Sequence, residues 1–142
     1  MTQIGINSMI DIINTIGEYS MDFIYVAVGG ALGAVGRYAI SLIGPKAVFP
    51  VQTLLTNIIG AILIGFIVGI ASSQSNVSPN TLLFWKTGVC GGFTTFSTFS
   101  LEAYELFEKR LYLESGSYVL LSVVCCLFGI VCGKKLAVLL FR

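Results

Sequence analysis

Histidine is absent from the 142 residues. With it go the side chain best suited to moving protons near neutral pH, imidazole metal ligation, and Ser-His or Cys-His catalysis. No enzyme activity is expected. Charge is scarce as well: 11% of residues are Asp, Glu, Lys or Arg, against about 25% in soluble domains. So few charges cannot coat the surface of a soluble monomer. With 56% hydrophobic residues and a mean hydropathy of +0.91, the chain calls for lipid as its solvent. A net charge of +1 lacks the basic footprint of a nucleic-acid binder, so no nucleic-acid partner is expected. Cys90, Cys125, Cys126 and Cys132 lie in apolar runs without a CxxC, and read as small buried hydrophobes.

What is present is long apolar runs. A membrane-crossing helix needs about 20 apolar residues, and four stretches qualify: 23–43, 51–71, 81–107 and 117–140. Gly44, Pro45, Lys46 and Pro50 mark a turn after the first. Residues 72–80 form a polar loop with Pro79, and 108–116 a charged one. The fold class is therefore an all-α integral membrane protein of four transmembrane helices. It is one domain, 21–142, behind an extension, 1–20. In that extension Ile6, Met9, Ile10, Ile13 and Ile16 keep helical spacing opposite Asn7, Asp11, Asn14 and Glu18, which suggests an amphipathic helix on the membrane surface.

Charge does not choose an orientation. Four spans place Lys86, Lys134, Lys135 and Arg142 on one side, and Arg37, Lys46, Lys109 and Arg110 on the other. A chain without a preferred orientation can insert both ways, and two copies could pair antiparallel. A single topology fixed by weaker signals is the other reading.

The polar residues fall on faces. Thr53, Asn57, Ala61, Gly65 and Gly69 are each four apart on the second span. Asn57 either makes a helix–helix hydrogen bond or offers its NH2 to an anion. Gly29 and Gly33 on the first span suit close packing. They precede Arg37, which is either a snorkelling anchor or a positive charge at a pore mouth. Ser115, Tyr118, Ser122 and Cys126 align on the fourth span. Their hydroxyls could pass an ion along or bond back to the preceding turn.

The third span reads GVCGGFTTFSTFS over 88–100. Adjacent glycines and alternating hydroxyls are poor helix formers, so a break is expected between Gly91 and Thr95. In a membrane such a break is tolerated only where buried or lining a wet cavity. Phe96 and Phe99 share one face beyond it, and the edge of a phenyl ring carries partial positive charge. Ordinary core packing is the competing account of that pair. No acid lies inside spans one, two or four, while Glu102 and Glu105 follow the break. Acids line cation paths, whereas Arg, Lys and neutral donors line anion paths, so this inventory favours an anion.

The run 88–102, the TLLTN of 53–57 and the GGALGAVGRY of 29–38 together resemble the CrcB/Fluc fluoride channel family over about residues 22–140. The resemblance implies a plasma-membrane channel for passive fluoride efflux, which relieves toxicity from fluoride trapped after HF enters the cell. It implies an antiparallel dual-topology dimer with two pores, either a homodimer or a heterodimer with a paralogous subunit. By motif, Phe96 and Phe99 match pore-lining phenylalanines. Asn57 matches a supporting Asn, with Thr53 on the same polar face. Arg37 matches a vestibule residue, and Tyr118 and Ser122 the start of a polar track. Gly91 and Thr94 match positions whose carbonyls hold a central structural Na+ at the dimer axis. Cys126 stands where many relatives carry a hydroxyl. Two alternatives are a small multidrug-type exporter, which needs a carboxylate within span one where only Asp22 stands at its start, and a non-transporting scaffold with a continuous third helix.

Overall fold

A computed structural model of the chain describes residues 3–43, 47–74 and 76–141, with side chains described for 17 and from 19 onward within these stretches. Every described element is helical. Helix α1 runs Gln3–Ser41. Its 39 residues extend about 58 Å, roughly twice the hydrocarbon thickness. The apolar crossing portion is Tyr19–Ser41. The backbone passes through residue 20 without a break, so the extension is helically continuous with the span. The side chains of 3–16 and 18, which carry its two-faced pattern, lie outside the described residues, as do Lys46 and Arg142 of the charge tally.

Helix α2, Val51–Ser73, starts directly after Pro50. The segment expected as the third span is not one helix. It begins as α3, Pro79–Leu82, where Ser78 accepts the Thr81 N–H at 3.2 Å and Pro79 occupies the first turn. It widens into a π-helical segment, Leu83–Cys90, then tightens into α4, Gly91–Phe93. After an extended Thr94–Thr95 it restarts as α5, Phe96–Glu108. Helix α6 covers Tyr112–Leu140. Among the described residues, three helices are long and apolar enough to cross a membrane, 19–41, 51–73 and 112–140, which makes this a multi-pass membrane protein. The expected fourth is an interrupted helical segment between the second and third of these.

The charged loop expected at 108–116 shrinks to three residues. Arg110 takes a left-handed φ of 62°, and the Leu111 amide reaches back to Leu106 O at 3.0 Å. Glu114 falls in the first turn of α6, where the helix dipole favours a carboxylate.

Glycines set the packing. A Cβ on Gly65 of α2 would lie 2.9 Å from Ile130 Cα, and one on Gly133 of α6 would lie 2.7 Å from Phe66 N. The small face of α2 therefore brings α6 into backbone contact. On α1, a Cβ on Gly29 would lie 2.5 Å from Phe84 O, and a Cβ on Gly88 would lie 2.9 Å from Gly29 Cα. The first-span GxxxG thus seats the π-helical segment, and the break is held against both α1 and α2.

Candidate functional site

At the break the chain must find partners for amides and carbonyls that leave the helix ladder. Asn57 supplies two of them. Its Nδ2 donates to Thr95 O at 3.2 Å, and its Oδ1 accepts the Thr95 N–H at 2.9 Å. Gly60, one turn along α2, leaves the room that the Thr94 methyl occupies. Thr95 then caps α5: its Oγ1 accepts the Thr98 N–H at 3.2 Å and donates to Thr98 Oγ1 at 2.9 Å. The poor helix formers of 94–98 are thus the ones that end one helix and start the next. Asn57 makes the helix–helix bond that its burial demanded, with one N–H left over.

In an unbroken helix the Thr95 amide would donate to the Gly91 carbonyl and the Thr98 amide to the Thr94 carbonyl. Here both amides go elsewhere, to Asn57 and to the Thr95 hydroxyl. Gly91 and Thr94 therefore keep carbonyls released from the ladder, and nothing lies within 4 Å of where a Cβ on Gly91 would stand. No group of three His, Cys, Asp or Glu is gathered among the described residues. A cation here would be held by backbone oxygens, which suit a hard ion.

Two cavities flank the break. The first, about 380 Å³, is lined by Asn57, Gly91, Thr94, Phe96, Phe99 and Ser122, and also by Thr95, Lys86, Cys90 and Cys126. The rings of Phe96 and Phe99 are 5.7 Å apart and tilted by 43°. Phe96 is 80% exposed on the single chain. Ser122 is only 5% exposed, and its Oγ has no hydrogen-bond partner. Other hydroxyls bond back to the carbonyl four residues earlier: Thr56 to Gln52 O at 2.8 Å, Thr94 to Cys90 O at 2.9 Å, Ser100 to Phe96 O at 2.8 Å. Ser122 does not. Ser115, expected on the same stripe, is spent on Ala103 O at 2.8 Å and ties α6 to α5.

The second cavity, about 470 Å³, is more polar and holds Arg37, Thr53, Thr95, Thr98 and Glu102. Arg37 Nε donates to Gly92 O at 3.2 Å, so its guanidinium caps the carbonyl end of α4 as well as lining this cavity. Thr95 borders both spaces.

Tyr118 lines neither cavity. It is fully buried, its ring 5.2 Å from Phe99 and 5.5 Å from Phe49. Its hydroxyl donates to Glu102 Oε2 at 2.8 Å, while Thr53 Oγ1 donates to Glu102 Oε1 at 2.8 Å. Glu102 is the residue that sequence reasoning left without a role. Its position as the first charged residue after Lys86, seven residues past Thr95, was the available signal.

A 44% identical relative from Agrobacterium fabrum, named "Fluoride-specific ion channel FluC", aligns over 82% of this chain and 95% of its own length. A relative of that name from Clostridium perfringens is 42% identical over 82% of this chain and 93% of its own. "Fluoride-specific ion channel FluC 1" of Nitrobacter hamburgensis is 40% identical over 78% and 90%. The family described as "CrcB-like protein, Camphor Resistance (CrcB)" matches residues 24–134, which include the break, both cavities and the Glu102 carboxylate, and the chain belongs to that family.

Proposed function

We propose that the protein is a fluoride-selective ion channel of the plasma membrane, not an enzyme, which lets cytoplasmic fluoride leave passively and so relieves its toxicity. The observation that carries this is the orphaned Ser122 hydroxyl, buried in a cavity walled by Phe96 and Phe99. A buried hydroxyl without a partner costs about 1–3 kcal/mol, and a small anion would accept its hydrogen. The ring edges supply further partial positive charge where a carbonyl or carboxylate would repel. The names of the 40–44% identical relatives support the choice of ion.

In this reading the interrupted segment 79–108 is the third of four crossings. A second, inverted copy completes the cavity, because Phe96 is too exposed on one chain to select an ion. The balanced basic residues suit an antiparallel dimer with two pores, a homodimer or one with a paralogous subunit. Residues 1–20 form an extension ahead of the channel domain. A structural Na+ fits the released carbonyls of Gly91 and Thr94, two from each subunit. Its charge would offset four carbonyl dipoles and add positive field near the anion paths. Asn57 keeps the Gly91 carbonyl free by taking the Thr95 amide, and the Thr95 hydroxyl keeps the Thr94 carbonyl free by taking the Thr98 amide. Arg37 and Thr53 belong to the outer, polar cavity, and Tyr118 holds the wall between Phe99 and Glu102.

The test is fluoride efflux from liposomes carrying the purified protein, with chloride as the control ion. Rapid fluoride loss with chloride retained is expected. Equal or absent fluxes would sink the reading.

A further inference from the structure

Lys86 has no part in the account so far, although it lines the same cavity as Ser122 and Phe96. It stands in the middle of the π-helical segment, about two turns ahead of the break. Lys86 is exposed on the single chain, and an ammonium on an apolar segment of a membrane protein is costly unless it is paired or faces water. It is not paired: the ion pair among the described residues joins Lys109 to Glu105. The residues lining this cavity include no acid at all. The carboxylate of the site, Glu102, lines the other cavity and is committed to Thr53 and Tyr118. The wider π turn places Lys86 and Cys90, four apart, on one cavity wall, and such segments recur at functional sites.

We propose that Lys86 is a specificity-determining residue at the mouth of the fluoride cavity, its ammonium concentrating small anions at the aqueous end of the space that Phe96, Phe99 and Ser122 enclose. The proposal rests on the channel reading. A cation beside a low-dielectric cleft raises the local anion concentration and the capture rate. It acts on capture rather than on passage between the rings, so its effect belongs to the low-fluoride regime and weakens as salt screens it. A lysine that merely snorkels to a lipid phosphate would contribute to anchoring instead, with no dependence on fluoride concentration.

The experiment measures initial fluoride efflux from vesicles of uncharged lipid as fluoride is raised, at about 10 mM and about 300 mM ionic strength. Wild type is compared with Lys86→Gln, Lys86→Glu and Lys86→Arg. Lys86→Gln should cut the subsaturating rate about tenfold at low salt while the saturating rate holds. Lys86→Glu should cut it further, Lys86→Arg should restore it, and high salt should narrow every gap. Wild type alone should show the same salt-dependent fall, a readout that needs no variant to fold. Two results overturn the proposal while leaving the channel reading standing. One is a Lys86→Gln rate equal to wild type at low salt. The other is a loss that is equal at both salt levels and not restored by arginine. A wild type that passes no fluoride overturns the channel reading, and this proposal with it.

Discussion

Asn57 and Thr95 hold each other in both directions, the amide of one giving and taking a hydrogen bond with the backbone of the other, at 3.2 and 2.9 Å. One side chain on α2 thereby replaces the two ladder bonds that the interrupted segment gives up at this residue. The Gly91 carbonyl is released because the Thr95 amide is taken in this way, and the residue so held is the one whose hydroxyl caps α5.

Asn57→Asp retains the acceptor for the Thr95 amide but loses the donor to its carbonyl, whereas Asn57→Leu loses both. Each unmet buried group costs about 1–3 kcal/mol. Thermal unfolding in detergent should therefore rank wild type above Asp, and Asp above Leu. If Asn57 served the ion alone, both variants would lose flux at unchanged melting temperature.

Ser122→Ala should do the reverse. The hydroxyl is buried and makes no bond within the chain, so its removal should not lower stability and should raise it by up to about 1–3 kcal/mol. A hydrogen bond to a charged group is worth about 1.5–3 kcal/mol, so fluoride flux should fall at least about tenfold. Full flux in Ser122→Ala would remove the observation on which the channel reading stands.

The break itself was legible because Gly91, Gly92, Thr94 and Thr95 break a local rule, poor helix formers inside an apolar run, and local rules can be read from sequence. Close packing at Gly29, Gly33, Gly65 and Gly69 was legible for a similar reason, since spacing alone puts small residues on one face. The partition of the site was not. Thr53 and Tyr118 read as members of an ion track, yet both hydroxyls end on Glu102, a pairing that joins α2, α5 and α6 and has no local signature. The connection between α5 and α6 also misled, because charged residues 108–116 read as a loop while most of them continue a helix.

Glu102 and Tyr118 should therefore behave as one unit. Tyr118→Phe removes one donor to the carboxylate and leaves the ring stack with Phe99 and Phe49 intact, so each single change should be mildly destabilising. The double variant Glu102→Gln/Tyr118→Phe should be less destabilised than the sum, with a coupling of about 0.5–3 kcal/mol from the thermal unfolding cycle. Strict additivity would mean that the 2.8 Å contact contributes nothing.

Phe96→Ile separates pathway from packing. The ring is 80% exposed on the single chain and contacts Phe99 at 5.7 Å, so the subunit should fold as before. Isoleucine offers no ring edge, and fluoride efflux should slow while the elution volume of the purified assembly stays constant. An unchanged rate would take Phe96 out of the pathway.

Glycine packing gives the last contrast. A Cβ on Gly92 would lie 2.9 Å from Gly30 Cα and overlap its carbonyl oxygen, backbone that cannot swing aside, whereas Gly116 in α6 has nothing within 4 Å. Overpacking of this kind costs about 1–3 kcal/mol, while Gly→Ala in an open helical position gains about 0.5–1 kcal/mol. Gly92→Ala should therefore lower the melting temperature and Gly116→Ala raise it. Because Gly92 O also accepts the Arg37 Nε, the displaced backbone should loosen the guanidinium cap on α4. Arg37→Gln added to Gly92→Ala should then cost less than Arg37→Gln does alone.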